Sequence, residues 1–366
     1  MSNGSMAILL RADAGPGIGI GHAMRCLAIG QAWRDRSARV VFATREGAPG
    51  VETRMRAEGI EVLRVEGASR AASLQEVARI AVEVGACWTV LDGAPLSEGL
   101  IDALHDVRCG VAMIDDEGTT AGADVIINQN GHAARSLYAR CPSATRLLLG
   151  PAYALLRREF RGRRPWQRAI PAVGRNVLVT LGGSDPHNTT SLVLSAIEGV
   201  GIQPLDVTVA VGTSNVHAEA VCRQAAQSGV RVRVERDTTR MAELMAWADV
   251  AVSSGGSTVW ELAFMGLPSL VGSIAADQSI LVGSSCFFES LGPFNSVTSE
   301  SLSTELRALL LDRARRLEQC SKAQAAVDGR GCERILTELS EIDRPVRRHK
   351  LGPSPTDSQE ATDERE

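Results

Sequence analysis

The sequence predicts an α/β protein made of two doubly wound parallel-sheet halves, and three observations carry that prediction. Short apolar runs alternate with stretches of helical period along most of the chain. The runs are continuous in Val, Ile and Leu rather than alternating with polar residues, as strands covered on both faces require. The alternation breaks at an Arg- and Pro-rich stretch, "RREFRGRRPWQRAIPAVGR", and then starts again.

In order, "MAILLRAD" reads as a strand, the Gly-rich "GPGIGIG" as a loop, and about His22 to Arg36 as a helix. "ARVVFAT", "IEVLRV", "CWTVLDG", "CGVAMIDDEG" and "ADVIINQN" are further strands, two of them ending in acids. "VETRMRAEG", "AASLQEVARIAVEVG" and "SEGLIDALHD" are the helices between them. In the second half "NVLVTLGG", "LDVTVAVG", "VRVRVER", "VAVSSGG" and "PSLVGSIA" read as strands. "TTSLVLSAIEGV", "VHAEAVCRQAAQSG", "TRMAELMAWAD" and "STVWELAFMG" read as helices. The first domain is expected over 6–160, a linker over 161–174 with its hinge near Pro165–Val173, and the second domain over 175–335. Residues 344–366 are Pro-, Ser- and charge-rich without apolar period and are expected to be a disordered tail.

Composition excludes several classes. The chain has 366 residues, beyond the roughly 250–300 at which one core stops growing. A net charge of −4 gives no electrostatic footprint for nucleic acid or a membrane surface. No apolar run is long enough to span a bilayer, and the N-terminus has no basic leader segment. The eight cysteines are scattered without a C-x-x-C pair, as expected of reduced thiols in a cytoplasmic protein. Histidines stand apart from carboxylate pairs, so neither a metal site nor a cofactor is expected.

Gly15, Gly17, Gly19 and Gly21 allow a dinucleotide-loop reading, but the acid that should end the next strand is displaced to Glu46 and His22 crowds the phosphate position. The alternative is that His22 itself works. The positive field of a helix start favours the neutral imidazole, which can take a proton from water or an alcohol. Asp13 is expected to orient His22 or bind a substrate hydroxyl, and Arg25, one turn on, to meet a carboxylate or phosphate. As plain structure, the three would be a helix-end histidine, a turn acid and a solvated arginine.

In the second half, Gly182, Gly183 and Ser184 form a turn whose N–H groups can approach an anion. Ser257, Thr258 and Glu261 read as a capping box and also as a hydroxyl-rich helix start open to a diphosphate, with Glu261 taking ribose hydroxyls. Gln278, beside Asp277, is expected at a loop facing the same crevice.

"RADAGPGIGIGHAMRCLAIGQAW", "IDDEG", "IINQN", "LLLGPAYALLRREF", "VTLGGSDPHN" and "SSGGSTVWELAFMGLP" occur in that order. In this the chain resembles the UDP-2,4-diacetamido-2,4,6-trideoxy-β-L-altropyranose hydrolases of pseudaminic acid biosynthesis and their spore-coat polysaccharide relatives. The resemblance implies a GT-B architecture, with UDP in the second domain and the sugar in the first. It implies that His22 activates water and matches Asn128 and Asn130 to the family's paired asparagines on the sugar side, where Gly19, Gly21, Arg25 and Asp92 are expected to bind substrate as well. It puts Gly182, Gly183, Ser184, Ser257, Thr258, Glu261 and Gln278 on the nucleotide side. One departure stands out: where that family tends to carry an aromatic hydroxyl after the acid of the "WTVLDG" strand, this chain has Gly93, Ala94 and Pro95. A UDP-sugar hydrolase that inverts the anomeric carbon is therefore expected first. A glycosyltransferase using a small acceptor is second, and a nucleotide-sugar-binding protein without catalysis third.

Overall fold

The computed structural model describes residues 7–15, 18–67, 70–93, 98–119, 122–212, 214–284 and 287–342. The expected tail and the Ala94–Pro95 departure lie outside them. The strands of the first half are β1 (Ala7–Arg11), β2 (Val40–Thr44), β3 (Glu61–Arg64), β4 (Ala86–Asp92), β5 (Gly110–Ile114), β6 (Val125–Asn128) and β7 (Arg146–Leu149). They form one sheet in the order β3-β2-β1-β4-β5-β6-β7, and every paired neighbour is parallel. The second half has β8 (Asn176–Thr180), β9 (Asp206–Val211), β10 (Arg231–Arg236), β11 (Val250–Ser254), β12 (Ser269–Ser273) and β13 (Glu289–Pro293). They run β10-β9-β8-β11-β12-β13, again all parallel. This is the GT-B fold expected from the sequence.

The interior strands earn their places by burial. All five residues of β1, β2, β5, β11 and β12 are buried, so helices cover both faces. In each sheet the strand order reverses once, between β1 and β4 and between β8 and β11. Loops leaving a doubly wound sheet at that point turn to opposite faces and leave a crevice at the carboxyl ends of the strands. His22 follows β1 and Asp92 ends β4, so the switch point of the first sheet brings them together although 70 positions separate them. Gly182–Ser184 and Gly255–Ser257 follow β8 and β11 and are brought together the same way.

The chain crosses between the domains twice. At the first crossing Leu155 enters the core of the first domain, while Ala154, Leu156 and Phe160 enter the core of the second. At the second crossing, Cys332, Ile335, Leu336 and Leu339 of the Gly331–Glu341 helix pack into the first core. Gly331 has no substitute there, because a Cβ would stand 2.2 Å from the Ala154 carbonyl oxygen. The last helical turns before residue 342 thus belong by packing to the first domain, although sequence reasoning assigned residues up to 335 to the second.

The expected hinge at Pro165–Val173 needs correcting, because that stretch is fastened to the second domain. Trp166 Nε1 and Arg168 Nε both donate to the Met265 carbonyl, each at 2.8 Å, and Arg168 also reaches the carbonyls of Ala248 and Met245. Arg316, fully buried, donates to the Pro171 and Ala172 carbonyls. Burial without a carboxylate partner lowers Arg168 to about 10, so the peptide oxygens do the holding. No helix among the described residues is long and apolar enough to cross a membrane.

Candidate active site in the interdomain cleft

A cleft of about 1940 Å³ separates the domains at the carboxyl ends of both sheets. Of the residues expected from sequence, Gly19, Gly21, His22, Arg25, Asp92 and Asn130 line it from the first domain. Gly182, Gly183, Ser184, Ser257, Thr258, Glu261 and Gln278 line it from the second.

The first-domain wall is organised around Asp92, whose side chain is 0% exposed. Its Oδ1 stands 2.7 Å from His22 Nδ1. Arg25 donates to the same carboxylate twice, Nε to Oδ2 at 2.8 Å and Nη2 to Oδ1 at 2.6 Å. Arg25 Nη2 also stands 3.0 Å from His22 Nδ1, but the Asp92 carboxylate is nearer and only accepts, so that contact puts the imidazole proton on Nδ1 and leaves the lone pair on Nε2. Arg25 Nη1 reaches on to Asp116 Oδ2, and Asn130 Nδ2 donates to Asp116 Oδ1 at 2.7 Å. Burial pushes the Asp116 carboxyl up, but the charge and hydrogen bond of Arg25, the hydrogen bond of Asn130 and the charge of His22 outweigh it. The net direction is down.

Gly93 closes this wall. Its φ of +92° belongs to glycine, and a Cβ there would lie 3.3 Å from the His22 ring. The backbone after β4 therefore lies against the imidazole, at the position just before the aromatic hydroxyl that the family resemblance led one to expect.

Asp13 requires a correction. It does not touch His22. Its carboxylate takes two hydrogen bonds from Arg11, at 2.6 and 2.8 Å, and the N–H groups of Arg45 and Glu46 at 2.8 and 3.1 Å. It ties the end of β1 to the turn after β2, and Asp92 holds the histidine instead. Asn128 is also moved from its expected role. It is fully buried beneath the cleft, donating to Tyr138 Oη at 2.8 Å and accepting from the Asn130 N–H at 3.0 Å. Its part is to shape the loop that presents Asn130.

On the second-domain side glycines let three loops converge. A Cβ on Gly212 would stand 2.6 Å from Gly183 Cα, and one on Gly255 would strike Val282 and Gln278. The two walls also touch each other: a Cβ on Gly183 would lie 3.0 Å from Ile20, and one on Gly21 would lie 3.7 Å from Ser257 Oγ. The loop that carries His22 thus abuts the serine-lined loop of the other domain.

The expected capping box is absent. Ser257 already has helical dihedrals and its side chain caps nothing. Glu261 instead takes Arg157 Nε at 2.8 Å and Nη2 at 3.0 Å, an ion pair between the second domain and the first crossing. Burial pushes Glu261 up more than Arg157 pulls it down. Gln278 Oε1 accepts from the Ile274 N–H at 3.1 Å.

Sequence reasoning missed three participants: Asp116, Gly93 and Arg157. The acids ending "IDDEG" were a signal for Asp116, since strand-terminal acids in this fold stand at the crevice. Arg157 lay in a stretch read as the end of a domain.

Comparison with known proteins agrees with this fold. Residues 176–273, less than half of the chain, match the glycosyltransferase family 28 C-terminal domain. The spore coat polysaccharide biosynthesis protein SpsG of Bacillus subtilis is 30% identical over 204 residues, 54% of this chain and 59% of the relative, so the chain spans well under two thirds of it. Among solved structures, MurG of Acinetobacter baumannii superimposes with a TM-score of 0.63 at 14% identity, covering 92% of this chain and 100% of that one. A Staphylococcus aureus MnaA structure with UDP gives 0.63 at 11% identity, covering 92% and 96%. At these identities the structural likeness speaks for the fold.

Proposed function

We propose that the protein is a nucleotide-sugar hydrolase that releases UDP from a UDP-linked sugar, with His22 as general base. The observation that carries the reading is His22, held through Nδ1 by buried Asp92 and abutting the Gly- and Ser-rich loops of the other domain. UDP as the nucleotide is what the resemblance to the UDP-sugar hydrolases implies, and the similarly folded MnaA structure is one with UDP.

In this reading the diphosphate lies against the backbone of Gly182, Gly183, Gly255 and Gly256 and the hydroxyls of Ser184, Ser257 and Thr258, which line the cleft. The sugar extends toward His22. A water oxygen bonds to the anomeric carbon, its proton passes to His22 Nε2, and the bond to the diphosphate oxygen breaks with its electron pair leaving on UDP. Attack opposite the leaving group inverts the centre. The imidazolium formed is stabilised by Asp92 at 2.7 Å, and Arg25 holds that carboxylate in place through two hydrogen bonds. Such base catalysis is worth ~10²–10⁴ in rate.

A second reading, transfer of the sugar to a small acceptor, is favoured by the family 28 match and by a cleft larger than the ~300–1,000 Å³ of ordinary ligand sites. A panel of UDP-sugars, assayed for UDP release with and without candidate acceptors, separates them. Release with water alone is expected. Release only on adding an acceptor would replace hydrolysis by transfer, and no release with any donor or acceptor would overturn both.

A further inference from the structure

We infer that His132 is a substrate-binding residue that donates a hydrogen bond from Nε2 to an oxygen of the polyhydroxylated group at the first-domain end of the cleft. The inference rests on the UDP-sugar reading above and adds a specificity-determining contact to it.

Several polar side chains of the same wall are already paired within the protein. Arg25 and Asn130 bind Asp116, and Gln129 Oε1 accepts from the Leu155 N–H at 2.9 Å. Asp115 Oδ1 accepts from the N–H groups of Glu117 and Gly118. His132 differs. It lines the same cleft, it is partly exposed, and its Nδ1 is buried with no hydrogen-bond partner. Nε2 is not among the buried unpaired atoms, and in a residue that lines the cleft we take that nitrogen as the one that meets it.

Chemistry then fixes the proton. A buried N–H without a partner costs more than an undersatisfied acceptor. The neutral ring therefore keeps its lone pair on buried Nδ1 and its proton on Nε2. The result is a hydrogen-bond donor lining the same cleft as the carboxylates of Asp116 and Glu117, which accept. A sugar hydroxyl suits such a wall, because it can accept from the imidazole and donate to a carboxylate.

The placement is fixed relative to the base. The Ala133 N–H donates to the Asn130 carbonyl at 3.1 Å, closing the turn that carries His132. Asn130 holds Asp116, Asp116 holds Arg25, and Arg25 shares Asp92 with His22. The two histidines are thus mounted on one hydrogen-bonded frame. An oxygen bound by His132 sets where the anomeric carbon stands relative to His22.

The test is titration calorimetry with UDP, UDP-glucose, UDP-galactose and UDP-N-acetylglucosamine on the full chain, comparing wild type with H132L and H132Q. Thermal unfolding of each variant is followed alongside. H132L is expected to leave UDP affinity unchanged and to weaken the tightest-binding sugar nucleotide about tenfold, the order of one hydrogen bond. H132Q, whose amide donor reaches as far as Nε2, should recover most of it. Neither change should lower the melting temperature, because His132 has no hydrogen-bond partner to lose among the described residues. The inference is overturned if H132L binds that sugar nucleotide as wild type does, if it loses UDP affinity equally, or if wild type binds UDP but gains nothing from any sugar. Failure of wild type to bind UDP would instead overturn the parent reading, and this one with it.

Discussion

Replacing Asp92 by Asn tests the frame at its centre. The wild-type carboxylate accepts three hydrogen bonds, one from His22 and two from Arg25, with its side chain 0% exposed. An amide of the same shape can accept at one end only. Its NH₂ end would face an Arg25 or His22 donor, so at least one charge-assisted bond is lost, worth about 1.5–3 kcal/mol. The Arg25 charge would also lose one of its two counter-ions. Breaking a buried pair outright costs about 3–5 kcal/mol. Asp116 still holds the guanidinium, so the lower end, about 3 kcal/mol, is expected. For domains of this size that is a fall of roughly 6–12 °C in Tm. Turnover should fall further than stability suggests, because an amide nitrogen against His22 Nδ1 favours the tautomer with its proton on Nε2. UDP release by D92N, assayed below its melting point, is expected to drop ~10²–10⁴-fold, as in His22→Asn, with UDP affinity near wild type. A folded D92N that releases UDP at the wild-type rate would refute the argument that Asp92 sets the base.

The pH dependence of stability should carry the mark of Asp116. Its folded pKa lies below the ordinary 3.8, so the stabilisation it gives is present above that value and is lost as pH falls through the folded one. D116N is expected to flatten the loss of stability below about pH 4, read by urea denaturation at stepped pH, and an unchanged slope would count against the pairing with Arg25. Glu261, held by Arg157 at the cleft wall, still has lone pairs free for a ribose hydroxyl. E261Q should weaken UDP binding by about tenfold, one charged hydrogen bond's worth, while calorimetry showing an unchanged affinity would limit Glu261 to joining the domains.

Much of the fold was legible because the interior strands carry their burial in their composition. "MAILLRAD", "ARVVFAT", "CWTVLDG" and "VAVSSGG" are continuous apolar runs, and each became an inner strand. The two strands not read, Arg146–Leu149 and Glu289–Pro293, are sheet edges with half-exposed faces, one carrying both Gly and Pro. An edge strand needs no second apolar face, so its sequence carries little signal. The joint between domains was read wrongly for a related reason. "RRPWQRAIPAV" looks like a solvated linker, yet Arg168 within it and Arg316 packed against it donate to backbone carbonyls. A guanidinium has the same letter in either setting. In the site, His22 was legible from the Gly loop before its helix, but its partner was not. Asp13 stood nearby in sequence, whereas Asp92 came from another strand, and only the strand order makes them neighbours.

That strand order also explains why one histidine can serve a site built by two domains. Each sheet reverses its winding once, and each reversal opens a crevice at the carboxyl ends of its strands. The first crevice holds His22 against a buried acid, the arrangement that the proposed hydrolysis uses as its base. The second holds glycines whose missing side chains let three loops converge, and serines that supply hydroxyls. Neither half is sufficient alone. An imidazole without a seated diphosphate has no leaving group to answer, and a diphosphate pocket without a base has only water. What couples them is a set of contacts across the domain boundary: Ile20 against Gly183, Gly21 beside Ser257, and Arg157 paired with Glu261. The Arg157–Glu261 pair acts at the crossing, where the chain itself joins the domains. The Ile20 and Gly21 contacts act beside the base. On the proposed reading, the loop that carries His22 and the loops that seat the diphosphate meet at these contacts, so the position of the diphosphate and the reach of the base are set together.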